Sequence, residues 1–250
     1  TMRMNRAINS QKEARLNEAV VDLEQAREIF ERIGDADQAG SVWVNLGMIY
    51  TIWGDDDEAV ACLQKAVALA TQHNIPNLEA YAKTTLARPL LRQGELAAAV
   101  TLVAEALALC RQYRYPDLTA VSLLWQGWLH HEQGETEKGL TLLQQAVRLA
   151  EPNHFLQEAG IALSFQGQLL DAQQMVAEAK AAHQKALELL AEQDRYELAL
   201  AQLALAQHSL AQTTALSPEI AELLATARAG FVALGAVGET AVVDTLLRHE

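Results

Sequence analysis

The sequence is poor in positive charge. Its 19 lysine and arginine residues face 32 aspartate and glutamate residues, which gives a formal net charge of −13 at pH 7. Nucleic acids and anionic lipid surfaces are bound through clusters of basic side chains. We therefore expect neither nucleic acid nor a membrane as a partner, and we interpret the excess of acid as a solubilising surface.

Cysteine is scarce as well. Cys62 and Cys110 lie in alanine- and leucine-rich stretches and match no metal-binding or redox spacing, so we predict two buried thiols in the reducing cytoplasm. No apolar run approaches the ~18 residues of a membrane span, and the opening TMRMNRAINSQKEARL lacks the apolar core of a signal peptide. Because Thr1 stands inside an apparent helix, we expect the chain to be a piece of a longer protein.

The motifs of common catalytic and cofactor sites are missing. We find no phosphate-binding loop, no dinucleotide fingerprint, no zinc-protease helix and no nucleophile elbow, so we predict a protein that is not an enzyme and needs no cofactor. His130, His131 and Glu132 are the only metal-like cluster, but neighbours on a helix point about 100° apart, and no metal site is predicted. His183 is interpreted as a hydrogen-bonded core histidine.

What the sequence does contain is a repeat of 40 residues. Gly54, Gly94 and Gly134 are each followed by polar residues and then by an apolar helical stretch. Small residues recur in other columns at the same interval, among them Ala19, Ala59, Ala99, Gly139 and Ala179. Apolar residues are spaced three and four apart, which predicts one apolar stripe per helix and two helices per repeat. No β-type alternation appears, so the predicted class is all-α.

The best repeat carries a recognisable motif. WVNLGMIY (43–50) followed by DEAVACLQKAVAL (57–69) resembles the tetratricopeptide repeat. The resemblance implies a right-handed superhelical solenoid of about six helix-turn-helix repeats, although the period is longer than the 34 residues of that family. We predict a single domain over 1–250. Its repeats cover approximately 1–35, 36–75, 76–115, 116–155, 156–195 and 196–236, and a capping helix covers 238–249.

A looser resemblance suggests a role. RQGELAAAVTLVAEALALCRQ (92–112) and DRYELALAQLALAQ (194–207) are similar in style to the sensor arms of bacterial signalling ATPases and maltose-regulator-like activators. This resemblance implies a non-enzymatic module that binds a protein, a peptide or a small anionic ligand. The alternative is a free-standing adaptor between proteins, and the oligomeric state stays open.

The concave groove of such arrays is lined by the first helix of each repeat. Residues just beside the packing columns are the predicted groove residues, and cations beside aromatic rings are good binding chemistry. The other interpretation is that the tryptophans pack in the core and the arginines reach to solvent. The predicted groove residues are Asn45, Met48, Arg88, Arg92, Trp125, Trp128, His131 and Gln168.

Pro89 stands inside the first helix of the third repeat, predicted over 81–93 and ended by Gly94. Proline has no N–H to bond the carbonyl of Thr85, so we expect a bend at this point. The bend is either tolerated drift or a feature that shapes the groove beside Arg88 and Arg92.

Overall fold

The computed structural model describes residues 16–213 and 216–248. All regular structure in these residues is helical, and the predicted all-α class is confirmed. The helices in chain order are α1 (Leu16–Ile33), α2 (Ala36–Trp53), α3 (Asp56–His73), α4 (Pro76–Thr85), α5 (Ala87–Arg92), α6 (Leu96–Tyr113), α7 (Pro116–Glu132), α8 (Thr136–Ala150), α9 (Leu156–Ala172), α10 (Val176–Leu190), α11 (Arg195–Ala211), α12 (Pro218–Leu234) and α13 (Val237–Arg248).

The chain divides into two compact units, unit 1 (Thr1–Trp125) and unit 2 (Gln126–Glu250). In each unit, helices that follow one another in the chain pack as antiparallel-type pairs joined by short turns, as in α2 with α3 and α9 with α10. These pairs are helix-turn-helix units, as the 40-residue period predicts.

The turns between helices follow a 20-residue rhythm. A residue with left-handed backbone (positive φ) follows the helix at each step from Gly34 to Gln174 and again at Gly235, because such a residue lets the last carbonyls find partners. By contrast, α10 and α11 end at residues with right-handed backbone, Ala191 and Gln212. Glycine occupies only part of the left-handed positions. The left-handed residues are Gly34, Gly54, Asn74, Gly94, Arg114, Gly134, His154, Gln174 and Gly235.

Small residues let the paired helices approach closely. A Cβ on Gly47 would lie 2.6 Å from Cγ of Leu63, so glycine is required there. Leu63 and Ala59 are fully buried against this surface. The large–small pattern of the sequence is therefore a packing pattern.

The helix that contains Pro89 is interrupted. α4 ends at Thr85 and α5 begins at Ala87, with Leu86 between them. Pro89 itself is buried. The predicted disturbance is present, one turn before the proline, where the missing N–H leaves Thr85 without its helical donor.

One described helix, α6, is long and apolar enough to cross a membrane by length and composition alone, with a mean hydropathy of 1.3. The same test is passed by core helices of soluble proteins. The buried face of α6 includes Val103, Ala106 and Cys110, and α6 packs against α4 in unit 1.

Candidate functional site

The predicted groove residues fall on the first helices of the repeats, but the two units hold different sets of them. Unit 1 carries Asn45 and Met48 on α2, Arg88 and Arg92 on α5, and Trp125 on α7. Unit 2 carries Trp128 and His131 on α7 and Gln168 on α9. We call the first set the unit 1 patch and the second set, together with Phe165, the unit 2 patch.

In the unit 1 patch, Arg88 lies over an aromatic ring. Its guanidinium carbon is 5.3 Å from the ring centroid of Trp125. Trp125 is only 9% exposed, so this tryptophan is mainly a packing residue covered by the arginine. Arg88 is partly buried and is the positively charged part of the pair that reaches the surface.

Arg92 serves a different purpose from Arg88. Its Nη1 donates to the backbone carbonyl of Thr51 at 2.8 Å and lies 3.4 Å from Oδ1 of Asp56. The guanidinium therefore bridges the third repeat to the last turn of α2 and the first turn of α3. Such a charge-assisted bond to a helix C-terminal carbonyl also complements the helix dipole.

The other two members of the unit 1 patch lie one turn apart on α2. Asn45 and Met48 are both partly buried. The hydroxyl of Tyr81 on α4 donates to Sδ of Met48 at 3.4 Å. A thioether and a phenol thus form a soft, adaptable surface between two first helices.

In the unit 2 patch, aromatic rings from two first helices meet. The rings of Trp128 and Phe165 have centroids 4.8 Å apart, and the ring of His131 lies 5.5 Å from Trp128. All three residues are partly exposed. Nδ1 of His131 is 3.0 Å from Oγ1 of Thr136, and Gln168 donates to the carbonyl of Ser164 at 3.4 Å.

His130 and His131 do not share a partner. His130 Nδ1 lies 2.7 Å from Oε2 of Glu135, whereas His131 turns towards Thr136. The two neighbouring imidazoles are thus directed at different residues.

A second group of polar side chains is buried in unit 2. Nε2 of His183 lies 3.0 Å from Oδ2 of Asp171, and Nδ1 of His208 lies 2.5 Å from Oδ1 of the same carboxylate. Burial lowers the pKa of His183 below its ordinary value, although the bond to Asp171 acts in the opposite direction. The prediction of a hydrogen-bonded core histidine is confirmed, whereas its convergence with His208 was not predicted.

The packed helix pairs and the partly exposed side chains on their first helices define a helical-repeat protein. Residues 1–72 match the family model of the tetratricopeptide repeat. This match covers the first part of the chain and includes the motif around Trp43 on which the predicted resemblance rests. No curated protein matches the chain significantly by sequence.

Solved structures extend this likeness over the whole length. A Rap protein complexed with Competence and Sporulation Factor is 16% identical with a TM-score of 0.71, over 98% of this chain and 72% of that one. Aspartyl phosphate phosphatase F from Bacillus subtilis is 11% identical with a TM-score of 0.64, over 99% of this chain and 70% of that one. At such identities the likeness shows the fold alone.

A third match has the repeats as part of a longer protein. It is a signal transduction ATPase with numerous domains and a tetratricopeptide repeat sensor, from Pyrococcus horikoshii. The identity is 16% and the TM-score 0.56, over 99% of this chain and 39% of that chain. This chain therefore spans less than half of that ATPase.

Proposed function

We propose that this chain is a non-enzymatic binding module that holds a segment of a protein partner, or a peptide, on the first helices of its repeats. It acts in the cytoplasm as the sensor or scaffold part of a larger bacterial signalling protein. Support comes from the fold it shares with a Rap protein complexed with Competence and Sporulation Factor and with a signal transduction ATPase that has a tetratricopeptide repeat sensor.

The observation that carries the proposal is the unit 2 patch. Trp128 and Phe165 stand in contact on neighbouring first helices, and neither ring is fully buried. Partly exposed tryptophan in a rigid setting is the side chain that most often dominates binding energy at interfaces. An apolar side chain of the partner would cover these rings and gain by leaving water.

The unit 1 patch is a separate candidate surface, and it is selective for charge. The chain has a net charge of −13, so a partly exposed arginine on a first helix places positive charge on a surface that is acidic as a whole. Arg88 over Trp125 offers charge-assisted hydrogen bonds to a carboxylate or phosphate, with the ring holding the guanidinium in place. A peptide that carries an acidic group, or a small anionic ligand, fits this patch.

The test begins with an array of peptides that combine acidic and aromatic residues. A peptide that binds is then measured by fluorescence anisotropy with the wild type and with the double variant Arg88→Ala/Trp128→Ala. We expect at least a tenfold rise in Kd, about 1.4 kcal/mol. An unchanged Kd for a verified peptide would refute the proposed surface.

The matched control uses the same residue chemistry on second helices. Arg148 on α8 and Tyr113 on α6 are exposed, so Arg148→Ala/Tyr113→Ala removes a cation and an aromatic ring from the other side of the helix pairs. This control should bind peptide normally. If it alone loses binding, the chain uses its second helices, as a free-standing adaptor would.

A further inference from the structure

Three helices of unit 2 each bring one metal-ligating side chain to the same point. Asp171 lies in the last turn of α9, His183 in the middle of α10 and His208 in the last turn of α11. One donor atom from each residue lies within 4.8 Å of the other two. Two imidazoles and one carboxylate from separate helices therefore face one another.

These side chains are costly to bury without a strong partner. The side chain of His183 is fully buried and that of His208 is 2% exposed, whereas Asp171 is 28% exposed. Nδ1 of His183 is buried and has no hydrogen-bond partner among the described residues. Nε2 is therefore the nitrogen of His183 that is directed at Asp171, and the polar neighbours of this buried ring are one carboxylate and the second imidazole, whose ring centroid is 5.6 Å away.

The other repeats show that packing does not require histidine at this position. Residues 120, 80 and 40 places before His183 are Leu63, Val103 and Leu143, and each is fully buried. An aliphatic side chain thus fills the same core position in three repeats. His183 also needs room that Gly167 provides, because a Cβ there would lie 2.5 Å from the imidazole.

The donor set suits a divalent transition metal. Imidazole nitrogens and a carboxylate oxygen bind Zn²⁺ at about 2.0–2.2 Å, which places tetrahedral donors about 3.3 Å apart. Without metal, the two imidazoles bond different oxygens of Asp171, His183 Nε2 to Oδ2 at 3.0 Å and His208 Nδ1 to Oδ1 at 2.5 Å. These are hydrogen-bond distances, and a bound ion would replace both bonds and move the donors slightly apart. The partial exposure of Asp171 provides a path from solvent and room for a water as the fourth ligand.

We propose that Asp171, His183 and His208 form a mononuclear site for Zn²⁺ or a similar divalent transition metal that joins α9, α10 and α11. His183 binds through Nε2 and His208 through Nδ1, and each ring carries its proton on the other nitrogen. The site is independent of the proposed peptide-binding surface, since it uses none of the same side chains.

The experiment uses the whole chain, freed of metal with a chelator and titrated with ZnCl₂ by calorimetry. We expect one Zn²⁺ per chain and a thermal transition that rises until one equivalent is bound. His208→Gln and Asp171→Asn should each weaken binding at least tenfold. Co²⁺ should give visible absorption bands of a four-coordinate site in the wild type and lose them in both variants.

The matched control removes surface imidazoles. His73→Gln/His154→Gln changes two exposed histidines and should leave the affinity and the Co²⁺ spectrum unchanged. Far-ultraviolet circular dichroism of the metal-free variants checks that each is folded. Because two ligand variants are made, the test remains possible if one of them does not fold. Absence of stoichiometric binding in the wild type, or ligand variants that bind like the wild type, would overturn the proposal.

Discussion

Gln174 occupies a backbone position that suits glycine. Its φ is 62°, and it stands 40 residues after Gly134, the third of three glycines at the same step of the repeat. The residue is exposed, and the structure shows only its backbone N–H in a hydrogen bond, to the carbonyl of Asp171 at 2.9 Å. Replacing the side chain by hydrogen, Gln174→Gly, should therefore remove strain and no side-chain hydrogen bond.

The size of the effect follows from two opposing contributions. The left-handed conformation costs a residue with a Cβ about 1–2 kcal/mol. Glycine lowers the stability by roughly 0.5–1 kcal/mol, because it increases the conformational entropy of the unfolded chain. We expect Gln174→Gly to raise the free energy of unfolding by about 0.5–1 kcal/mol.

The reverse exchange at the equivalent position is the matched control. Gly54 has φ 79°, and a Cβ there would meet no atom within 4 Å. Gly54→Gln therefore introduces backbone strain without a steric clash, and stability should fall by a similar amount.

Urea unfolding and thermal unfolding, both followed by circular dichroism, measure the stability of each variant. An unchanged m-value shows that the variant exposes the same amount of surface on unfolding as the wild type. The melting temperature should move by about 1–4 °C in opposite directions. If Gln174→Gly does not raise the stability and Gly54→Gln does not lower it, the left-handed backbone is not the reason for glycine at these helix ends.

Three further predictions concern packing. Burial raises the pKa of Cys62 to about 11 and also raises the pKa of Cys110. Because little thiolate then exists at pH 8, Ellman's reagent should label the native protein far more slowly than the urea-unfolded protein. Gly167→Ala forces a Cβ against the His183 ring and should lower the free energy of unfolding by about 1–3 kcal/mol in urea titrations; an unchanged value would contradict the close contact. Pro89→Ala restores a helical donor and should raise stability by up to ~3 kcal/mol; a stabilised variant with unchanged peptide binding would mean that the interruption does not shape the binding surface.

The fold was accessible from the sequence because its signals are local and repeated. Gly54, Gly94 and Gly134 mark helix ends through the backbone conformation that they permit. Arg114 and His154 adopt the same left-handed conformation, but neither residue type favours it. The conformation at these two positions can be predicted only from the 20-residue spacing of the other helix ends.

The side-chain groupings were less accessible, because they depend on how far one helix is shifted along another. The sequence singled out Trp128 and His131, which the structure brings into contact. It did not bring His208 together with Asp171, since these residues are 37 positions apart and join only through the packing of α9 against α11. The aliphatic residues at the equivalents of His183 were the available signal, because a polar residue in an otherwise apolar column requires a partner.

The difference between Arg88 and Arg92 decides which variant is informative about binding. Both arginines were expected to project into the groove, one helical turn apart. The Arg92 guanidinium holds the carbonyl of Thr51, and a hydrogen bond from a charged group contributes about 1.5–3 kcal/mol to stability. Loss of peptide binding in an Arg92 variant would therefore have two possible causes: weaker packing between the repeats, or the loss of a direct contact with the peptide. Arg88 lies over the Trp125 ring, so the stability of an Arg88 variant must be measured by urea unfolding before a change in its affinity is attributed to the surface.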